Sequence, residues 1–217
     1  MLLAAAVPVV IVAVPRDGTP AHHDDKVPTG VLASSLPLAA AFFCFALLFL
    51  ALAGLLPTWL VDRRGLEAAD AGRVAAIATA FGIPGSLLAG WLMRAGVSPG
   101  RLAAIGLMGS TVVAALCFTA LPLPMAVAGF ALSFAIGGLV PAATFASVPL
   151  VAANPSAIGP INGLVAQAGS LGSLAGPPLL AVWVDWTDWS FAPMLLLAIA
   201  VLGAAAALAV RRASPPP

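Results

Sequence analysis

From Leu102 to Val184 the chain carries no Asp, Glu, Lys, Arg or His. A helix needs about 20 apolar residues to cross a hydrocarbon core of about 30 Å, so this interval is too long for one span or two. It is punctuated by Leu121-Pro-Leu-Pro124 and by Asn154-Pro-Ser-Ala-Ile-Gly-Pro160, both of turn-forming composition. Three crossings follow, over 102–120, 124–149 and 159–183. Elsewhere the charges bound three more: 36–59 before Asp62, 74–93 between Arg73 and Arg94, and 189–210 between Asp188 and Arg211. Hydrophobic residues make up 62 % of the 217 residues and charged ones 8 %, with a mean hydropathy of +1.10. No soluble domain could keep that much apolar surface from water. The expectation is an all-α, multi-pass integral membrane protein with a six-helix bundle over 36–212 and a short tail at 213–217.

The first fourteen residues are apolar but would rise only about 21 Å as a helix, short of a crossing. With no cationic leader ahead of them, they read as a partial transmembrane helix rather than a signal peptide. Residues 15–35 are polar and rich in Pro and Gly, the composition of a linker. If that linker is cytoplasmic, the inner side holds Arg16, Lys26, Arg94, Arg101, Arg211 and Arg212, and the outer side Arg63, Arg64 and Arg73. The excess inside predicts a cytoplasmic C-terminus in a plasma (inner) membrane. Trp59, Trp91, Trp183, Trp186 and Trp189 fall near span ends, where an amphipathic ring suits the interface. A net charge of +1 gives no footprint for nucleic acid. Cys44 and Cys117 lie inside apolar segments and read as packing residues.

Gly54-Leu-Leu-Pro57 in the first full span is echoed by Gly138-Leu-Val-Pro141 in the fourth, and Gly85-Ser-Leu-Leu-Ala-Gly90 in the second by Gly172-Ser-Leu-Ala-Gly176 in the fifth. The offsets nearly agree and link corresponding spans of two three-span units, which points to an internal repeat. Because three is odd, the second unit would enter the membrane from the opposite side, giving two inverted repeats, as in secondary transporters.

Three stretches carry a resemblance to a known family: Leu56 to Gly72, the loop Gly90 to Arg101 with Gly90, Arg94 and Arg101, and Gly172-Ser-Leu-Ala-Gly176-Pro177. The chain resembles the C-terminal six-helix half of a major facilitator superfamily transporter. The resemblance implies that residues 1–14 correspond to the end of a sixth helix and 15–35 to the central cytoplasmic loop. At the loop, Arg94 stands where the fullest form of the motif has an acid, and the usual Arg pair is absent.

Every ionisable side chain sits in a loop or at a span end. Intramembrane charges are costly and usually functional, so ion coupling would have to reside outside this bundle. The same lack leaves no base to activate Ser170 or Ser173, so the expectation is no enzyme, no cofactor and no metal. His22-His23-Asp24-Asp25 reads as solvated linker. Candidate substrate contacts are therefore neutral: Gln167 first, then Ser170 and Asn162, with Thr58 and Thr144 weaker. Gln167 has the competing role of bonding a neighbouring helix, and Asn162 that of a helix cap. Gly169, Gly172 and Gly176 share a helix face and are expected to pack against another span of the bundle. Pro84 and Pro141 are expected to bend their helices, either as hinges or as static kinks.

The function expected is a solute carrier working by alternating access, in which this chain is half or a truncated form of a full transporter. Its partners would be the bilayer, a small-molecule substrate, and a second six-helix half or a second copy. The alternative is a non-transporting membrane scaffold, assembly partner or inactive fragment.

Overall fold

The computed structural model describes residues 29–119, 121–152 and 154–210. The apolar stub at 1–14, the ligand-type residues His22 to Asp25, Arg211, Arg212 and the tail at 213–217 lie outside them. So does most of the linker. Residues 29–35, which the sequence reading puts in the linker, are already helical. The apolar run extends upstream of Leu36 through Val31 and Leu32, with no charge to stop it.

The described residues form helices and no strand: α1 (Thr29–Arg64), α2 (Ala68–Ala80), α3 (Gly82–Arg94), α4 (Pro99–Cys117), α5 (Leu123–Gly137), α6 (Leu139–Val151), α7 (Ile158–Trp186) and α8 (Ala192–Ala209). Single 3-10 turns, Pro155–Ala157 and Trp189–Phe191, lead into α7 and α8. Two pairs are each one broken rod. A proline ring clashes with the carbonyl four residues before it and supplies no N–H to that carbonyl. For Pro84 and Pro141 those carbonyls belong to Ala80 and Gly137, the last residues of α2 and α5. The breaks therefore lie one turn ahead of the prolines, at Phe81–Gly82 and at Gly138.

Five rods are long and apolar enough to cross a membrane: Ser34–Arg64, Ala68–Arg94, Pro99–Cys117, Leu123–Val151 and Trp189–Ala209. These five fit an integral membrane protein, and their outer faces expose large apolar side chains such as Leu87, Met125 and Leu202. The remaining span expected from the sequence, the fifth in chain order at 159–183 and now α7, is not among the five. At 29 residues it is about 44 Å long, but Gln167, Ser170, Ser173, four glycines between 159 and 172 and two prolines dilute its apolar content.

Glycines set the helix contacts. A Cβ at Gly172 would sit on the Phe43 carbonyl oxygen, one at Gly176 on that of Leu47, and one at Gly169 against the Phe42 ring. Position rises together on both helices, so α7 runs parallel along α1. A Cβ at Gly85 would meet the Ala135 carbonyl and one at Gly138 the Gly82 carbonyl, so the two broken rods cross at their breaks. On the far side Gly100 abuts the Ala207 carbonyl and Gly203 abuts Cys44 and Leu107, which fixes α8 antiparallel to α4 and against α1.

One end of the bundle is closed by aromatic and charged side chains. Trp59, only 2 % exposed, meets Phe118 and Phe130 edge-to-face at 5.5 and 5.4 Å, and Trp189 stacks on Phe118 at 6.2 Å. These two tryptophans are core residues rather than part of an interfacial belt, whereas Trp91 and Trp186 are exposed. The Arg64 guanidinium lies 4.8 Å over the Trp59 ring and donates to the Thr119 carbonyl at 3.1 Å.

Arg63 pairs with Asp188, tying the end of α1 to the turn before α8. Asp188 also accepts from the backbone N–H of Ser190 at 2.9 Å and from its hydroxyl at 2.7 Å. Those two bonds first, and then Arg63, hold the Asp188 carboxyl below its ordinary value of 3.8. A depressed folded-state pKa stabilises above the unfolded value and loses that contribution as pH falls through the folded one. The thermal-midpoint difference between the native chain and Asp188→Asn should therefore hold constant from neutral pH down to about 3.8, then shrink on further acidification. Parallel melts in detergent across that range check it; a constant difference would mean the carboxylate charge contributes nothing to the closure.

Candidate functional site

Phe42, Phe45 and Phe49 recur three and four residues apart on α1 and so share a face. That face forms the floor of a cavity of about 930 Å³, within the size range of ligand pockets. One wall is the α2–α3 break, with Thr79, Gly82, Ile83 and Ser86; the wall adjoining it is the α5–α6 break, with Gly138, Pro141 and Phe145. The third is the face of α7 carrying Ala166, Ser170, Ser173 and Leu174. The phenylalanines on α1 lie near the middle of the span Ser34–Arg64, so the cavity sits at mid-depth.

The rings fix one another. Phe42 packs on Phe45 at 5.7 Å and edge-to-face on Phe145 at 5.3 Å, Phe45 on Phe49 at 5.5 Å, and Phe49 edge-to-face on Phe134 at 5.2 Å. Gly169 makes room for the Phe42 ring, so the glycine strip shapes the cavity as well as the helix contact.

Ser86 joins the two breaks. Its hydroxyl donates to the Gly138 carbonyl at 2.8 Å and also lies 3.2 Å from the Gly82 carbonyl of its own helix. Thr79 donates to the Ala75 carbonyl at 2.8 Å and Ser170 to the Ala166 carbonyl at 3.0 Å. Each of these hydroxyls has committed its one hydrogen to the backbone and keeps lone pairs that can accept. Among the described residues no ionisable side chain lines the cavity.

Of the residues that the sequence reading favours for substrate contact, the cavity takes Ser170 alone. Gln167 is exposed on another face of α7 and does not line it. The strip at Gly169, Gly172 and Gly176 turns toward α1, and at about 100° per residue Gln167 stands roughly opposite that strip. Asn162 is half-buried in the second turn of α7; the capping side chain is Asn154, which accepts from the N–H of Ala157 at 3.0 Å. Thr58 is exposed towards the other end of α1, and Thr144 is fully buried with its hydroxyl unpartnered, both away from the lining.

Pro84 and Pro141 lie just past the two breaks, and Pro141 itself lines the cavity. In the loop between α3 and α4, Arg94 and Arg101 are exposed and belong to neither ion pair among the described residues. Gly90 has open space around it, whereas Gly96 takes a positive φ of 95° to end α3 and Gly100 packs on Ala207. The phenylalanine row went unread in the sequence because α1 is apolar on every side; its three-and-four spacing was the one available signal.

No family model matches the chain, and no curated protein matches it.

Proposed function

We propose that the chain is a six-helix bundle of a secondary transporter of the major facilitator type, moving a small solute by alternating access. The observation that carries this reading is the mid-depth cavity walled by two rods broken at the same level. Irregular backbone is tolerated within a membrane where it is buried or lines a cavity, and transporter sites commonly form at such breaks.

The helix pairing supports two inverted three-helix units, α1 to α4 and α5 to α8. Gly172 of α7 meets the backbone of α1, and Gly85 of α3, its counterpart in the repeat, meets the backbone of α5. In this reading α7 is a full span, the fifth of six in chain order, despite its polar content, because it lies parallel along α1 and its end is joined to that helix through Arg63 and Asp188. The arginines at that end are engaged: Arg63 with Asp188, Arg64 with Trp59 and Thr119, and Arg73 with Asp70. Arg94 and Arg101 at the other end are in neither ion pair among the described residues, which supports placing that end, with the C-terminus, in the cytoplasm of a plasma membrane. The cavity is open along one side, so a second bundle, another half or a second copy, would close it.

The test is water access at Ser173. With Cys44 and Cys117 replaced by alanine, a cysteine substituted for Ser173 should react with a membrane-impermeant maleimide from either face of sealed vesicles. Reaction with membrane-permeant N-ethylmaleimide alone would mean lipid covers the cavity, and the reading as a non-transporting scaffold would replace this one.

A further inference from the structure

We infer that the cavity takes an uncharged, mainly apolar molecule bearing an aromatic ring and a hydrogen-bond donor; this rests on the proposed transport reading for its role but not for its binding. Four phenylalanines face the space, three from α1 and Phe145 from α6. Their rings are held by mutual contacts at 5.3–5.7 Å, so a flat ligand meets preformed π-faces without paying to order them.

Charge is excluded by the same lining. Among the described residues no carboxylate, guanidinium or ammonium borders the cavity, and an ionised ligand would lose its water without gaining a partner from them. Three of the four hydroxyls bordering the cavity also have a sign. Thr79, Ser86 and Ser170 have given their hydrogens to Ala75, Gly138 and Ala166, so what they offer a ligand is acceptor lone pairs. A ligand N–H or O–H is matched at these three, whereas a ligand with only acceptors finds a hydroxyl hydrogen at Ser173 alone. A sugar-like solute, with many hydroxyls needing both donors and acceptors, would leave most of them unsatisfied against phenylalanine.

The experiment uses two fluorescent probes with one skeleton: uncharged N-phenylnaphthylamine and its sulfonated, anionic relative anilinonaphthalene sulfonate. Both carry the N–H donor and the aromatic rings, and they differ in charge. Titrated into the full chain in lipid nanodiscs, the uncharged probe should show a saturable signal above partition into empty nanodiscs. The sulfonate should bind at least about tenfold more weakly.

Ser170→Trp, which fills the cavity from an exposed position, should abolish the saturable component. Val201→Trp, on an exposed face of α8 outside the lining, should retain it. Equal binding of the sulfonate, no saturable component, or a component untouched by Ser170→Trp would each overturn the assignment. Its failure is separable from that of the transport reading. Two-sided labelling at position 173 without binding of the uncharged probe would retain a transporter and discard this ligand class. Saturable, Ser170→Trp-sensitive binding without two-sided labelling would retain the ligand class and discard transport.

Discussion

Gly172→Ala is expected to destabilise the bundle by about 1–3 kcal/mol. Gly163→Ala, on the same helix, should leave stability unchanged or raise it by up to about 1 kcal/mol. The two substitutions add the same methyl group and the same gain in helix propensity. They differ in what the methyl meets: backbone of α1 at Gly172, and open space at Gly163. A side chain can rotate away from an added carbon, but the Phe43 carbonyl cannot, so α7 must move off α1 as a unit. Inside a bilayer that separation is not resisted by a hydrophobic drive, because lipid tails are as apolar as the helix they would cover. Close backbone packing is what holds the pair, and Gly176→Ala, against the Leu47 carbonyl, should behave like Gly172→Ala. Reversible denaturant titration in mixed micelles gives both values; a Gly172→Ala midpoint at or above that of Gly163→Ala would mean α1 and α7 do not meet as described.

The periodicity of that strip was legible in the sequence because it is a local property. Glycines three and four residues apart must share a helix face, whatever they pack against. Which helix they meet was not legible, since every span is apolar and the partner contributes backbone rather than a recognisable side-chain motif. Gln167 follows from the same local geometry. Once the strip is taken as a contact face, helical geometry already turns Gln167 away from it. An amide that both donates and accepts near mid-membrane is chemically suited to a polar substrate, but that property does not fix which face of α7 it occupies.

The break positions illustrate the reverse case. Pro84 and Pro141 mark bends from sequence, but their steric rule acts four residues upstream, at Ala80 and Gly137. That both breaks lie against each other, joined by Ser86, is a tertiary fact with no sequence periodicity behind it. The same limit applies to the phenylalanines of α1: a helix with no polar face offers no contrast from which to read which side lines a cavity.

The crossing of the two broken rods should be as intolerant as the glycine strip, and it ties stability to the shape of the site. Gly85→Ala and Gly138→Ala each drive a methyl into main chain, at Ala135 and at Gly82, and each should cost about 1–3 kcal/mol. Because one displacement of α3 from the α5–α6 rod relieves both clashes, the double variant should lose less than the sum of the singles.

Pro141→Ala acts on the same junction from the other direction. It restores an N–H that can reach the Gly137 carbonyl and removes the ring clash, so α5 and α6 can join into a straighter helix with little loss of stability. Straightening carries the Gly138 carbonyl away from the Ser86 hydroxyl, now 2.8 Å distant, and moves Pro141 and Phe145 out of the wall they form. The expected result is a chain that melts near the native temperature while impermeant labelling of a cysteine at position 173 falls several-fold. Gly85→Ala should melt lower. If Pro141→Ala leaves labelling unchanged at native stability, the bend serves packing alone and the cavity owes its form to α1 and α7. If labelling falls without a change in melting, the proline holds the rod in the bent shape that the cavity requires, and its cost to the helix is a functional one.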